Sequence, residues 1–438
     1  MDTTGNFWLF GGGLYRNDLW KYDITLNEWA WMSGDTILNA SGEHGVKGVP
    51  GALNIPGARR ESCSGWTDSL NNLWLFGGLG YDDSSHLGYL NDLMKFNIST
   101  GEWTWMSGSA YRNQANNYGV KGIANSTNIP GARSSYTKWK DLQENFWVWG
   151  GASSIDRYND GWQYNALTNQ WTWVTGTNLP NDLGLYQSSC TFDSVSLPMS
   201  RSEQRAAVVD NCGKFWIFGG YHINNGGFLN DLWIFDPIQN EWNWVSGTNV
   251  FNQTENYGIL GISSVSNTPP SRCGAVAWWS NDNRLFMFGG GTSSDVFGDL
   301  WVYTPDSICS QICNLIFPNA IFQALNNSLC PGTCTHFLNL SAYAYSYQWY
   351  FPGASPDTST AVNPTNICYA NPGSYDVQLI ASNANGSDTL LLSNYITVYP
   401  TPPPQSITQS SDTLFAIAGA SSYQWYYNTT LITGATDY

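Results

Sequence analysis

Phe215-Trp-Ile-Phe-Gly-Gly220 is a short apolar run halted by two glycines, and the chain repeats the pattern five times. The other copies are Phe7-Trp-Leu-Phe-Gly-Gly12, Leu73-Trp-Leu-Phe-Gly-Gly78, Phe146-Trp-Val-Trp-Gly-Gly151 and Leu285-Phe-Met-Phe-Gly-Gly290. In chain order their first glycines lie 66, 73, 69 and 70 residues apart. The same landmarks follow each run. An Asp comes first (Asp18, Asp92, Asp160, Asp231, Asp299), then in four units a Trp-x-Trp (Trp29/Trp31, Trp103/Trp105, Trp171/Trp173, Trp242/Trp244). An Arg then opens the next unit (Arg59, Arg133, Arg201, Arg272). Asp to first Trp is always 11 residues, that Trp to the next Gly (Gly34, Gly108, Gly176, Gly247) always 5, and that Gly to the Arg always 25. Nearly all the variation falls between Gly-Gly and Asp, a stretch of 7, 15, 10, 12 and 10 residues.

Fixed spacings mark rigid geometry, and the variable stretch marks a loop. Each unit reads as four short strands divided by turn residues, for example Arg133–Trp139, Phe146–Gly151, Asp160–Asn165 and Gln170–Thr175. A four-stranded unit cannot bury both of its faces alone, so units of this kind stack radially into a β-propeller. Gly-Gly supplies positive φ and close backbone approach where the second strand ends. Trp-x-Trp at period 2 places both indoles on one face of the outermost strand, against a neighbouring blade.

Gly-Gly closing strand two, an aromatic closing strand three (Tyr22, Phe96, Tyr164, Phe235) and a Trp seven residues later resemble the kelch repeat. The resemblance covers residues 1–306 and implies an all-β, kelch-type propeller with five recognisable blades. Units of about 70 residues exceed the roughly 50 of an ordinary kelch unit, because each carries an inserted 25-residue segment. The first unit lacks strand one and the fifth lacks strand four, so the ring is expected to be incomplete and the N-terminus truncated.

Composition narrows the function. The chain has 438 residues, 17 Lys and Arg against 33 Asp and Glu, and a net charge of −16. That balance argues against nucleic acid or an anionic membrane as partner. No apolar run approaches the roughly 18 residues of a membrane span. The opening Met1-Asp-Thr-Thr-Gly5 is no export signal, so the chain either stays in the cytoplasm or has lost its true start.

Antiparallel alternation puts the strand 2–3 loops and the strand 4–1 crossings on one face, where a scaffold holds its function. Each crossing carries an Asn five residues past its Gly (Asn39, Asn113, Asn181, Asn252) and an aromatic ten past it (His44, Tyr118, Tyr186, Tyr257). The plainer reading is packing on the next blade, with Asn capping a turn; the alternative is a repeated ligand pocket. Likewise one Arg and one Asp per blade fit a ring of structural charge-assisted pairs better than a single active site. Ligand binding is therefore expected in the unrepeated loops, at Tyr81, Asp82, Asp83 and His86 and at Tyr221, His222 and Asn224. The Asp82/Asp83 pair lacks calcium-loop spacing, so neither metal nor other cofactor is expected.

The kelch resemblance extends to copper oxidases similar to galactose oxidase, which need two His, two Tyr and a Cys–Tyr cross-link. The four His of this chain do not match that set: His336 lies beyond the repeats, and His86 and His222 sit in non-adjacent blades. No catalytic residue is assigned, and an enzyme is the less favoured reading.

Residues 307–400 alternate short strands with Pro, Gly and Asn turns, as in a small β-sandwich. Tyr347-Gln-Trp-Tyr350, Ile367-Cys-Tyr369, Pro372-Gly-Ser-Tyr-Asp-Val377 and Asn394-Tyr-Ile-Thr-Val398 resemble a PKD domain, which implies a spacer or binding module of bacterial secreted or surface proteins. Residues 401–438 repeat Ser-Tyr-Gln-Trp-Tyr at Ser422–Tyr426 and read as a truncated Ig/PKD-like module. Among the cysteines, Cys368 is expected to pair with Cys330 or Cys334, Cys190 and Cys212 are not paired with each other, and a four-Cys zinc site over Cys309, Cys313, Cys330 and Cys334 is the weaker alternative.

The sequence thus leads to a secreted or cell-surface protein whose propeller loops recognise a glycan or a surface protein, with PKD/Ig-like modules as spacers. Its alternatives are a carbohydrate-active enzyme and a structural adhesin without a small-ligand site.

Overall fold

The computed structural model describes residues 1–438 except 61–63, 204, 224–225, 281, 306–308, 310–316, 384, 402–406, 412, 417–422, 428–429 and 434–438. The repeats fold as five antiparallel blades. Blade 1 comprises β1 (Phe7–Gly12), β2 (Arg16–Asp23) and β3 (Glu28–Ser33). Then β4 (Arg59–Arg60) bridges β2 to the next blade, formed by β5 (Ser64–Thr67), β6 (Asn72–Tyr81), β7 (Leu87–Asn97) and β8 (Glu102–Ser107). Blade 3 is β9 (Thr137–Lys140), β10 (Phe146–Trp149), β11 (Gly161–Asn165) and β12 (Gln170–Thr175). Blade 4 is β13 (Ala207–Val209), β14 (Phe215–His222), β15 (Gly227–Asp236) and β16 (Glu241–Ser246). Blade 5 shows three strands among the described residues, β17 (Val276–Trp279), β18 (Leu285–Phe288) and β19 (Leu300–Tyr303). The innermost strand starts later than its Arg, because the residue two on is left-handed (Ser135 φ 53°, Glu203 φ 62°, Gly274 φ 69°). That bend joins neighbouring blades: the Glu203 amide donates to Ser135 O and the Gly274 amide to Glu203 O.

Aromatic side chains at period 2 form the cores between blades. The first Trp of each strand four lies on the strand-two aromatic of the preceding blade: Trp103 on Phe10, Trp171 on Phe76 and Trp242 on Trp149, with ring centroids 5.8, 5.3 and 5.3 Å apart. These three indoles are buried, and burial of that size is what holds blade to blade. Gly77 shows why small residues close strand two. Its φ is 53°, and a Cβ there would sit 2.9 Å from Leu90 O and 3.0 Å from Arg133 O of the incoming unit.

The first three inserted crossings each run along strand four of the next blade. The Gly48 and Gly51 amides donate to Trp105 O and Trp103 O, Gly122 and Asn125 to Trp173 O and Trp171 O, and Cys190 and Asp193 to Trp244 O and Trp242 O. The outer edge of each of these blades, otherwise a row of unpaired backbone groups, is thereby covered.

Behind the blades lies a sandwich of β20 (Phe322–Ala324), β21 (Ser328–Leu329), β22 (Thr333–Thr335), β23 (Phe337–Asn339), β24 (Ser346–Tyr350), β25 (Ala354–Ser355), β26 (Thr358–Ser359), β27 (Ile367–Tyr369), β28 (Gly373–Asn383) and β29 (Gly386–Val398). Phe322, Phe337, Trp349, Phe351 and Tyr369 fill its core. It touches the blades at their short hairpins: Asn363 Nδ2 donates to Gln143 O at 2.7 Å, and Gln239 Nε2 to the Tyr343 hydroxyl at 3.1 Å. Those hairpins lie on the face opposite the variable loops, which the sandwich leaves open. The last described strands form two small hairpins, β30 (Thr408–Ser410) with β31 (Thr413–Phe415) and β32 (Tyr426–Tyr427) with β33 (Thr430–Leu431).

The cysteines follow the sequence reading in the sandwich and go beyond it in the blades. Cys334 is disulfide-bonded to Cys368, one of the two expected partners. Cys190 pairs with Cys309 across 119 residues, and Cys212 is also disulfide-bonded. With Cys309 and Cys334 oxidised, the four-thiolate zinc reading is set aside; Cys63 and Cys313 lie outside the described residues.

Candidate functional site

The repeated charges are consumed inside the blades. Arg201 opens blade 4 fully buried. Its Nη1 and Nη2 donate to the two carboxylate oxygens of Asp231 at 2.6 and 2.7 Å, its Nη1 also to Gly219 O, and its Nε to Met199 O. Arg59–Asp92, Arg133–Asp160 and Arg272–Asp299 repeat the fork. Two charges can stay buried here because the paired fork and the carbonyl acceptors meet most of the guanidinium's hydrogen-bonding demand.

The crossings complete the same unit. Tyr118 and Tyr257 donate their hydroxyls to Asp160 and Asp299 of the following blade at 3.0 Å, and Tyr186 donates to Asp231 at 2.5 Å. Burial, then the neighbouring Asp231 charge, pushes the Tyr186 phenol well above its usual range. The left-handed Asn residues cap the entry to strand three. Asn113 donates its amide to Tyr89 O and accepts the Tyr89 amide on Oδ1, and Asn181 and Asn252 do the same with Arg157 and Phe228. Packing, not a repeated pocket, is therefore what the crossings do.

At the first crossing the phenol is replaced by His44, and the chemistry changes. His44 is buried, with Nδ1 2.6 Å from Asp83 Oδ1 and Nε2 3.0 Å from Asp92 Oδ2. Burial alone would depress the imidazole, but hydrogen bonds and charges from Asp83 and Asp92 outweigh it and raise its pKa to about 9. An imidazolium thus ties the longest strand 2–3 loop to the Arg59–Asp92 pair.

This placement corrects part of the expected site. Asp83 is a partner of His44 rather than a free ligand group. Asp82 is buried, accepting the Ser84 and His86 amides on Oδ1 and the Arg112 amide on Oδ2, so it shapes its own loop. His222 is fully buried beside Phe251, with ring centroids 5.4 Å apart. Burial, then the Arg201 charge, depresses its pKa, so it is a neutral core residue of its loop. Asn224 lies outside the described residues. His86 is exposed, and Tyr81 and Tyr221 are half-buried on the loop face.

Sequence reasoning missed the company these two tyrosines keep. The Tyr81 ring meets Tyr15 edge-on at 5.6 Å, and the Arg60 guanidinium lies 4.6 Å over Tyr15. Tyr221 lies tilted against Phe228 at 5.2 Å, with Arg157 5.5 Å over its ring. Two aromatic–guanidinium groups are thus presented, on blades 1–2 and on blades 3–4. Glu203 is exposed where the innermost strands meet, and its carboxylate lies 3.4 Å from the Cys273 thiol. Burial and then that charge push the thiol up to about 12, which keeps it protonated and unreactive at neutral pH.

Blades with a gathered loop face, backed by a sandwich on the other side, define a propeller scaffold. Residues 116–308 match the KLHDC2/KLHL20/DRC7 Kelch-repeats domain and residues 320–395 match the PKD domain, so the chain carries a Kelch-repeat domain followed by a PKD domain. It is also similar to "Tip elongation aberrant protein 1" of Schizosaccharomyces pombe, 29% identical over 177 residues. That match covers 40% of this chain and 14% of the relative's length. Kelch and PKD domains together point to a binding or adaptor role.

Proposed function

We propose that this is an extracellular binding protein whose propeller loop face recognises a surface protein or a glycan, with the PKD domain as a spacer behind it. One observation carries the reading. The repeated charges are locked inside the blades, while the loops that differ in length gather on one open face around Tyr15, Tyr81, Arg60, Tyr221 and Arg157. Tyr and Arg are the side chains that dominate recognition surfaces, offering contact area and directed hydrogen bonds at low entropic cost. The cysteines support an oxidising compartment, since Cys190, Cys212, Cys309, Cys334 and Cys368 are all disulfide-bonded.

The test is a screen of the full chain against a glycan array and a panel of purified cell-surface proteins. It is repeated with Tyr81→Ser/Tyr221→Ser and with Arg60→Ser/Arg157→Ser. The proposal expects at least one ligand whose signal falls tenfold or more in both double variants. A ligand bound equally by all three proteins moves recognition off this face.

A further inference from the structure

The repeat is broken three times around one loop of blade 2. The stretch from Gly77 to Asp92 is the longest of its kind, and His44 stands on one side of it where the other crossings place a tyrosine. On its other side the second crossing reads Tyr111-Arg112, where the equivalent pairs are Ile37-Leu38, Leu179-Pro180 and Val250-Phe251. Both sides hold the loop. Asp83 takes His44 and gives its amide to Ala110 O, while Asp82 takes the Arg112 amide. The Arg112 stem lies over Gly88, as Phe251 lies over the equivalent Gly227 in blade 4. Its Nη1 then donates to Leu87 O at 2.9 Å.

That clamping sorts the charges. Both acids of the loop are consumed within it, Asp82 by backbone amides and Asp83 by His44. The basic side chains are left outside: His86 and Arg112 are exposed, and Arg112 Nη2 has no partner among the described residues. Beside Arg112 the Tyr111 side chain is 56% exposed. From the rim the contacts continue toward the innermost strand. Leu87 pairs across the hairpin with Tyr81, the Tyr81 ring meets Tyr15 at 5.6 Å, and the Arg60 guanidinium lies 4.6 Å over Tyr15. The result is a track with a guanidinium at each end and tyrosine rings along it, laid on a loop whose backbone is already fixed.

We propose that this track binds an acidic glycan, a short run of uronate sugars whose carboxylates meet Arg112 and Arg60 and whose ring faces lie on the tyrosines. The inference rests on the reading of the loop face as a recognition surface, and adds to it the ligand class and the residues Tyr111 and Arg112. Charge complementarity selects the acid. In a chain of net charge −16, guanidinium groups left outside a loop whose own carboxylates are occupied call for an anion from elsewhere. A planar carboxylate is the anion that the guanidinium fork matches best. The strands select a sugar over an extended peptide. Along the track β6 is paired on both sides, to β4 at Leu79 and Gly80 and to β7 at Leu79, Gly80 and Tyr81, so it offers no edge to which a peptide strand could add. Because the clamps fix the loop beforehand, little ordering is left to oppose binding.

The experiment is calorimetric titration of the full chain with oligomers of galacturonate, glucuronate and guluronate, each beside its methyl ester, and with a glutamate oligomer. Arg112→Met, which keeps a stem over Gly88, and Tyr111→Ser are run beside the unaltered chain, with melting curves to check that they fold. At least one uronate oligomer is expected to bind about tenfold or more tightly than its ester, and to weaken by about tenfold in Arg112→Met and about fivefold in Tyr111→Ser. Binding by none of the uronates overturns the proposal, as does an ester bound as tightly as its acid, and neither result depends on how a variant folds. A glutamate oligomer bound as tightly as the uronate makes this a peptide surface and overturns it too, as does a uronate indifferent to both variants. The two levels of the account fail separately. A ligand that needs Tyr81, Tyr221, Arg60 and Arg157 but is no uronate keeps the loop face as the recognition surface and removes only the acidic glycan.

Discussion

At three crossings a tyrosine hydroxyl reaches the Asp of the next blade, while at the first a histidine takes that place. Tyr118, Tyr186 and Tyr257 each offer one proton to one carboxylate. His44 has two nitrogens and uses both, one on Asp92 of the blade and the other on Asp83 of the 15-residue stretch that separates Gly77 from Asp92. The tyrosine crossings join frame to frame. The histidine crossing also fixes a loop, and it does so with a charge that responds to pH. Where the repeat is kept the chain builds its scaffold, and where it is broken a loop of the open face is tied in.

The comparison can be broken first at the buried forks. Arg201→Met strands Asp231 without its counter-charge and is expected to cost about 3–5 kcal/mol, read by urea unfolding. Next comes pH. The folded pKa of His44 is raised to about 9 from the imidazole's ordinary 6.5, so its contribution is fully present below about pH 6.5 and is lost as pH rises through about 9. At roughly 1.4 kcal/mol per pKa unit that amounts to about 3 kcal/mol. Unfolding free energies at pH 6, 7.5 and 9 should fall along that window, and His44→Tyr, which restores the ordinary crossing, should flatten the slope. Asp83→Asn removes one of the two anionic partners and is expected to cost about 2 kcal/mol, with part of the pH dependence. Smallest is Tyr186→Phe, which loses the hydroxyl's bond to Asp231 and the one it accepts from Arg201 Nη2, together worth about 1–2 kcal/mol, and adds no pH dependence.

Much of the frame was legible because it recurs at fixed spacing. Arg, Asp and Gly-Gly each announced a position, and from blade 2 onward the structure uses each where the repeat predicts; in blade 1 Asp18 takes the Trp20 indole in place of an arginine fork. Two further repeats were written as plainly and passed over. Asp68 accepts the Trp74 indole N–H, and Asp2, Asp141 and Asp210 do the same for Trp8, Trp147 and Trp216, always six residues on. Asn17, Asn91, Asn159 and Asn230, each just before the repeated Asp, donate to the carbonyls of Pro56, Pro130, Pro198 and Pro269. Asp68, Asp141 and Asp210 sit where strand one ends, and the Asn residues stand beside the charged Asp of strand three, whose stronger signal hid them. The loops were harder for a physical reason. Whether Asp82 or His222 faces solvent depends on one loop's path, which no second copy in the chain reports. The Cys190–Cys309 bond joins residues 119 apart, beyond any local pattern.

The most direct test of the division between frame and loops is one ligand titration, run with melting curves on two variants. Tyr81→Ser/Tyr221→Ser is expected to weaken binding at least tenfold with melting unchanged, and Tyr186→Phe to lower melting with affinity unchanged. Affinity lost at Tyr186 and kept at Tyr81 and Tyr221 would place recognition in the repeated clamps and contradict the account.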